Sequence, residues 1–426
     1  MIENQFISRQ KEQKDVLRLA CKPISTVRIG LIGLGVRASR ALDRFMSLNG
    51  VEIKALCDIA SKNVDQFQHR LLQKNRLRAK EYVGVDSWKK LCEDIDVDLI
   101  YICTDWLSHA RIAVYGMQQD KHVAIEVPAA TTVEECWQLV DTAEKTRKHC
   151  MMLENCCYDS FELATLNMVQ QGIFGEVLHG EGAYIHDLRE RIFTNEFGAR
   201  MSNNWQNNYN IQHTGNPYPT HGLGPVCQVL NIHRGDKMDY LVSMSSKQQG
   251  MTEYVKGKHP LQAEVGYKLG DMNTTLIKTH KGKTIMLQHN ISNPRPYSRI
   301  HSITGTKGFY QKYPIEQIVL ESEDNSLSSL QIKELLNKYK HPFYQEIGDL
   351  AIETCGERAR DFIMDYRLIY CLQNGLPLDQ DVYDAAEWSC IVELSEKSVL
   401  NNSMPVQIPD FTSGVWNKLK TLEFAK

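Results

Sequence analysis

The sequence predicts an α/β chain. A doubly wound parallel sheet comes first, and a second α/β region on an open, mostly antiparallel sheet follows. Three observations carry this. Short apolar runs alternate with helical patterns up to about residue 150. A glycine-rich turn closes the first of those runs. After about residue 160, strand-like segments follow one another without intervening helices.

The apolar run at 27–34 ends in glycines, and a helical pattern covers Ala38 to Leu48. A second run, Ile53 to Ile59, contains Asp58 near its end; Asp98 to Thr104 and His122 to Val127 are the third and fourth. Helical patterns at Val64–Leu72, Ile112–Gln118 and Val133–Glu144 separate them. The last opens on a capping box, Thr132 with Glu135, and presents Val133, Trp137 and Val140 on one face. Cys150 to Glu154 is the closing strand. Fully apolar strands between helices fit a parallel sheet covered on both faces.

A helix at Leu163–Gln171 stops at Gly172. Strands are predicted at Val177–Ile185, Leu241–Ser246, Ala263–Leu269, Thr274–Thr279, Thr284–His289 and His301–Thr304. Gly270-Asp271 and Lys281-Gly282-Lys283 mark turns between them. Helices return at Ile332–Tyr339, Ala359–Gln373 and Asp381–Leu400.

Gly33-Leu34-Gly35-Val36-Arg37-Ala38 matches G-x-G-x-x-G/A. It follows a strand and opens a helix, and Asp58 closes the next strand. That context predicts a dinucleotide site of the Rossmann type. Gly33 and Gly35 allow the backbone to approach a pyrophosphate, and the helix N-terminus offers free N–H groups. Asp58 would accept from ribose hydroxyls and repel a 2′-phosphate, which favours NAD over NADP. With 426 residues the chain exceeds one ordinary core. The division read here is an N-terminal arm at 1–25, an NAD-binding Rossmann domain at 26–150 and a C-terminal α/β substrate domain at 151–426.

Composition narrows the partners. The charged share is 24% and the formal net charge −3, with no basic block, so nucleic acid and polybasic membrane contacts gain no support. No apolar run is long enough for a membrane span. Met1 to Ser25 lacks the apolar core of a signal peptide. Arg18-Leu19-Ala20-Cys21 has a faint likeness to a lipoprotein box, but a frayed arm or short helix is the expectation, and the compartment stays open. The 12 cysteines show no metal-ligand spacing, so buried free thiols and no metal site are expected.

The stretch Asn216 to Pro225 sets Tyr218 and His221 among prolines and glycines, which predicts a rigid irregular loop. His221 is the natural proton-transfer group there, with a structural role equally open.

The order of elements resembles the Gfo/Idh/MocA oxidoreductases. That family commonly carries Glu-Lys-Pro after a Rossmann strand; here the residues are Glu126-Val127-Pro128, and valine cannot move a proton. A closer resemblance is to glycoside hydrolase family 109, over Val27 to Leu400. It rests on Met151 to Tyr158, Tyr184 to Arg189, Tyr218 to Gly222, Pro294 to Ser298, Asp381 to Ala385 and Leu394 to Glu396. The resemblance implies α-N-acetylgalactosaminidase activity with recycled NAD. In it, oxidation at C3 acidifies the C2 proton, elimination expels the aglycone, water adds and the hydride returns. It also implies a small glycoside or glycan terminus as substrate; the wider Gfo/Idh/MocA resemblance implies a homodimer through the open sheet face.

The cofactor contacts it implies are Val36, Arg37, Asp58, Trp106, His109, Glu126, Val127, Asn155 and Tyr218. The sugar-site residues are Tyr184, Gln206, Tyr218, Pro219, Thr220, His221 and Tyr297. His221 is assigned to the C3 hydroxyl proton, Tyr184 to C2, and Tyr297 to the substrate. Three positions depart from the family pattern: Gln206 stands for Arg, Asp159 for Arg, and Gly356-Glu357-Arg358-Ala359 for a Gly-His-Gly-Gly-like stretch. His213 or Arg358 would be the compensating groups. A sugar dehydrogenase using His221 as base is the second reading, and a non-catalytic NAD-holding protein the third.

Overall fold

A computed structural model of the chain describes residues 1–4, 9, 13–193, 204–258, 266–322 and 326–426. The first half alternates strand and helix. In order come β1 (Val27–Ile32), α1 (Val36–Met46), β2 (Val51–Asp58) and α2 (Ser61–Gln73). Then follow β3 (Lys80–Val83), α3 (Ser87–Cys92), β4 (Leu99–Ile102), α4 (Trp106–Gln118), β5 (His122–Ile125), α5 (Val133–Thr146) and β6 (Cys150–Met152). The sheet order is β3-β2-β1-β4-β5-β6, every pair parallel. All four residues of β4 and of β5 are buried, as a sheet covered on both faces requires. The capping box at Thr132 and Glu135 forms as the sequence predicts. β3 and α3 are absent from the sequence reading. β3 is a polar edge strand paired only with β2, so it carries no apolar run to detect.

A 3₁₀ turn at Asn155–Tyr158 leads into α6 (Ser160–Gln170) and β7 (Val177–Ile185). Next come α7 (Arg189–Phe193), α8 (Trp205–Gln212), α9 (Thr220–Leu230), β8 (Met238–Ser245) and α10 (Gly250–Lys258). β9 (Asn273–Thr279), β10 (Thr284–Asn290), β11 (Ser302–Gly305), β12 (Gly308–Gln311) and β13 (Gln317–Leu320) complete the run. The C-terminal helices are α11 (Ser329–Lys338), α12 (Pro342–Glu346), α13 (Gly348–Cys355), α14 (Ala359–Asn374), α15 (Val382–Ser389) and α16 (Ile391–Leu400), and β14 (Val406–Gln407) follows. The second sheet runs β13-β12-β11-β7-β10-β9-β8-β14; only β7 with β10 is parallel. It is the mostly antiparallel sheet expected.

Four expectations are corrected. Helices α7, α8 and α9 lie between β7 and β8, and α10 between β8 and β9. The supposed loop around His221 continues as helix α9, with Pro225 inside it. Burial of Leu223, Val226, Cys227 and Leu230 outweighs its proline and glycine content. The helix expected over Asp381–Leu400 is two, α15 and α16, parted at Cys390. Of the strand expected at Ala263–Leu269, 263–265 lie outside the described residues, and 266–269 are not strand.

One hydrophobic core runs through both sheets and their helices. Buried ion pairs cross between them: Arg44 of α1 donates to Asp365 of α14 at 2.6 Å, and Tyr101 of β4 reaches the same carboxylate at 3.1 Å. The first residues span both regions too. Ile2 bridges to Val406, and Arg9 pairs with Glu144 at 2.7 Å. A separate cluster of Leu188, Ile192, Met251, Val255, Leu269 and Ile291 binds α7 to α10. The cysteines are all unbridged, and most are buried.

Candidate active site

The site forms where the carboxyl ends of the parallel strands meet α9 and β7, the usual place for ligands in such sheets. At its cofactor end, the chain turns at Gly33 with φ +83°. A Cβ there would stand 2.8 Å from the Cys103 backbone, so the turn requires glycine. At Gly35 the Cβ direction is open, with no atom within 4 Å. That leaves the close approach a pyrophosphate needs. Asp58 shapes the same turn. Its Oδ2 accepts from the Leu34 N–H at 2.7 Å, and its Oδ1 from Ala60 N–H at 2.9 Å and the Asn63 amide at 3.1 Å. A carboxylate has about four lone-pair positions. Three are used, and the one left on Oδ2 suits a ribose hydroxyl. These residues fit a dinucleotide.

Arg37 donates through Nε to Glu126 Oε1 at 2.8 Å, and Glu126 holds this guanidinium well above its ordinary pKa range. Glu126, buried Val127 and Trp106 line one cleft. His109 lines it as well, but both its ring nitrogens face backbone carbonyls, Pro128 at 2.8 Å and Thr104 at 3.1 Å. Burial pushes its pKa down. It fixes the two strand-end loops and offers the cleft only ring carbon. Asn155 is buried and donates to Asp361 of α14.

His221 lies in the first turn of α9. Its Nδ1 lies 2.7 Å from Glu154 Oε1, and Glu154 is fully buried. A Cys156 Sγ, a Glu154 oxygen and a His221 nitrogen lie within 4.8 Å of one another. Burial acts to lower the imidazole pKa, but facing Cys156 and Glu154 raise it to about 10. Glu154 is displaced the other way: burial raises it, His221 lowers it, and the net direction is down. Both shifts describe one imidazolium–carboxylate pair. Glycines make the geometry. A Cβ on Gly222 would sit 2.3 Å from Ala183 N of β7, and one on Gly224 2.9 Å from Glu154 Cγ. Only without them can α9 lie against β7 and Glu154 together.

Aromatic rings surround the pair. Tyr218 stacks on Trp106 at 5.4 Å and meets Tyr184 at 4.7 Å and His221 at 5.0 Å. Tyr184 is 5.7 Å from His221. Neither tyrosine hydroxyl has a hydrogen-bond partner among the described residues. Burial raises both phenols, and Arg37 opposes it at each. The cleft holds about 170 Å³ and is lined by Arg37, Tyr184, Arg191, Gln206, Tyr218 and His221, among others. Pro219 precedes the first turn of α9, where the buried Thr220 hydroxyl faces Glu154. Tyr297 lies farther out, 41% exposed, its ring 5.2 Å from His186, which is itself 6.0 Å from Tyr184.

The C-terminal motif residues brace this arrangement. Glu396 accepts from the Thr214 N–H and bonds His213, both at 2.9 Å, and Ser395 Oγ accepts from the Asn216 N–H at 2.8 Å. Asp384 takes both Arg234 and His233 beyond the end of α9. His213, stacked on Tyr209 at 4.1 Å, is thus committed to Glu396 and does not stand in for an arginine at Gln206. Asp159 sits among three cations. It pairs with Lys312 at 2.6 Å, Arg360 at 3.0 Å and Arg299 at 3.3 Å. Against burial, Lys312 and Arg299 hold it well below the ordinary carboxylate range. Arg360, just past the Gly356–Ala359 stretch, is one of the three cations that Asp159 holds.

Sequence reasoning missed Glu154, Cys156 and Arg191. Glu154 had a signal: it follows the carboxyl end of β6 as Glu126 follows β5. Arg191 had none, since only the tertiary fold carries α7 to the cleft.

Comparison with known proteins agrees with this architecture. Residues 27–154 match the model for the oxidoreductase family, NAD-binding Rossmann fold. Residues 158–418 match the glycosyl hydrolase 109, C-terminal domain. An alpha-N-acetylgalactosaminidase of Bacteroides fragilis is 59% identical over 410 residues, 95% of this chain and 96% of the relative. A glycosyl hydrolase family 109 protein of Porphyromonas gingivalis is 49% identical, covering 97% and 90%. Among solved structures, a levoglucosan dehydrogenase in complex with NADH and L-sorbose superposes with a TM-score of 0.66 at 16% identity, covering 91% of this chain and all of that one, which speaks to the fold alone. With an NAD-binding Rossmann domain ahead of that C-terminal domain, the chain belongs to glycosyl hydrolase family 109.

Proposed function

We propose that the protein hydrolyses terminal N-acetylhexosaminides, α-N-acetylgalactosaminides first among them, with NAD that it keeps and recycles. The observation that carries this is the buried His221–Glu154 pair facing two unpartnered tyrosine hydroxyls beside a dinucleotide turn. The name of the 59%-identical Bacteroides fragilis relative supports the sugar. When bound, NAD supplies a hydride acceptor that returns the hydride, so turnover is redox-neutral.

The chain's own residues do the rest. Gly33, Gly35, Val36, Arg37, Asp58, Trp106, Glu126, Val127, Asn155 and Tyr218 would hold the cofactor, and His109 would shape the loops around it. Glu154 engages Nδ1 of His221, which leaves Nε2 toward the sugar C3 hydroxyl; the neutral form of the ring takes that proton as the hydride leaves C3, and the imidazolium gives it back when the hydride returns. Glu154 then balances the imidazolium, as a carboxylate does behind a catalytic histidine. Tyr184 serves the proton at C2, with Arg191 and Arg37 opposing the effect of its burial. Tyr297 contacts the outer face of the sugar. Gln206, Pro219 and Thr220 complete the sugar site. Val127 leaves no lysine at the position a sugar dehydrogenase of this fold would use.

The test is hydrolysis of p-nitrophenyl N-acetylhexosaminides, α and β, galacto and gluco, with NADH absorbance followed in parallel. Nitrophenol release without accumulating NADH is the expected outcome. NADH accumulating with free sugars, and no nitrophenol, would make the protein a dehydrogenase instead.

A further inference from the structure

Glu154, Cys156 and His221 bring a carboxylate oxygen, a thiol sulfur and an imidazole nitrogen within 4.8 Å of one another. Glu154 caps the 3₁₀ turn at Asn155–Tyr158 and Cys156 lies in it, so one turn carries two of the three. Helix α9, packed on that turn, brings the third. No spacing in the sequence announces the group, because His221 comes from a distant element. Glu154 and Cys156 are buried, and each has unused capacity. Glu154 Oε1 accepts from His221 at 2.7 Å and from the Cys156 N–H at 3.1 Å, while its equally buried Oε2 accepts no hydrogen bond among the described residues. The Cys156 thiol donates to Asn155 Oδ1 at 3.4 Å, a weak hydrogen bond that a metal–sulfur bond outweighs. The second such group among the described residues is His233, Asp381 and Asp384. It offers no sulfur, and Arg234 already fills the place of a cation, 2.7 Å from Asp384.

We propose that Glu154, Cys156 and His221 form a binding site for a thiophilic divalent cation of the zinc class, whose occupation switches the enzyme off. One thiolate, one imidazole and one carboxylate suit the borderline-soft character of zinc, whereas magnesium and calcium take oxygen ligands. The thiolate and the carboxylate together cancel the charge of the ion, so the buried site carries no net charge. Three protein ligands leave the fourth tetrahedral position to water. The cleft of about 170 Å³ that His221 lines is the way in for both. The ion takes the place of the proton between His221 Nδ1 and Glu154 Oε1. With Nδ1 on the metal, the neutral ring keeps its one proton on Nε2, where the sugar C3 hydroxyl needs a free nitrogen. The loss of turnover rests on the role given to His221 above; the binding does not.

The experiment uses the full chain, freed of metal, with Co²⁺, Zn²⁺ and Mg²⁺ as probes. Cobalt reports the sulfur through its thiolate charge-transfer absorption, and zinc is measured by its displacement of cobalt. Wild type is compared with Cys156→Ala, His221→Gln and the neighbouring Cys157→Ala. The site predicts the charge-transfer band in wild type and Cys157→Ala and its loss in Cys156→Ala. Zinc affinity should fall at least about 10-fold in Cys156→Ala and His221→Gln, since loss of even an outer partner of a metal ligand costs that much. Zinc should also stop nitrophenol release by wild type, with EDTA restoring it and magnesium without effect. Absence of the band in wild type, or a band and zinc affinity unchanged in Cys156→Ala, would overturn the site. Zinc bound through Cys156 with full turnover would overturn the switch. Melting curves without metal identify a variant that fails to fold; if His221→Gln does, Cys156→Ala decides. If wild type releases no nitrophenol at all, the glycosidase reading falls, and the cobalt spectrum still decides the binding site.

Discussion

Glu154 Oε1 holds His221 Nδ1 at 2.7 Å across the gap between β6 and α9, with both groups out of bulk solvent. The pair ties stability to pH. His221 is raised from 6.5 to about 10, so its contribution is complete below about 6.5 and fades as pH rises through 10. Glu154 is lowered from 4.5, so its share is present above that value and lost as pH falls through the depressed one. Glu154→Gln should therefore cost about 3 kcal/mol near pH 6, with the gap to wild type closing toward pH 10. Thermal melts of both proteins across that range decide it; a gap constant to pH 10 would show the ring neutral at rest.

The unpartnered hydroxyl of Tyr184 separates chemistry from folding. Tyr184→Phe removes no hydrogen bond within the protein, so its stability should stay within about 0.5 kcal/mol of wild type. Turnover should fall by about 10²-fold or more. Melting temperature and kcat measured on the same preparation give the answer, and full activity in the variant would remove Tyr184 from the proton path.

Two glycines predict opposite outcomes. Gly35 points at open space, so Gly35→Ala should leave the cofactor-free fold intact and lower NAD affinity about 10-fold. Gly222 abuts the β7 backbone, so Gly222→Ala should cost at least about 1–3 kcal/mol and reduce kcat by shifting His221. Calorimetric NAD titration together with melting curves distinguishes them.

Asp159 and Arg360 should behave as a coupled unit. Asp159→Ala strands buried cations and should cost about 3–5 kcal/mol. Adding Arg360→Met should recover part of that, a coupling of about 1–3 kcal/mol in a double-mutant cycle by urea denaturation. Strict additivity would mean that the 3.0 Å contact contributes no net coupling.

The sequence carried the local parts of this site well. Gly33, Gly35 and Asp58 share one turn and one strand end, so spacing alone predicts that they meet. The motif at Tyr218–His221 was visible as chemistry but misread as a loop, because proline and glycine content outvoted the buried stripe that makes α9 a helix. Glu154 lies inside a motif without an assigned role, since only the packing of α9 on the 3₁₀ turn at Asn155–Tyr158 brings it to His221. His109 lines the cleft with both ring nitrogens turned to the backbone carbonyls of loops that meet only in the fold, a placement that no spacing in the sequence records. Long-range pairing of β7 with β10 and the docking of α7 set Arg191 at the cleft, and no short window of sequence records either.

The outer wall of the cleft bears on descent. Leu188 and Ile192 belong to the separate cluster shared with α10, whereas Leu223 and Leu153, flanking His221 and Glu154, belong to the main core. Substitutions around Leu188 and Tyr209 therefore act on Tyr184, Trp106 and Tyr218, while the His221–Glu154 pair rests against the main core. A lineage built this way can trial new glycans one side chain at a time, and its variable positions should gather on α7 and α8 while α9 stays fixed.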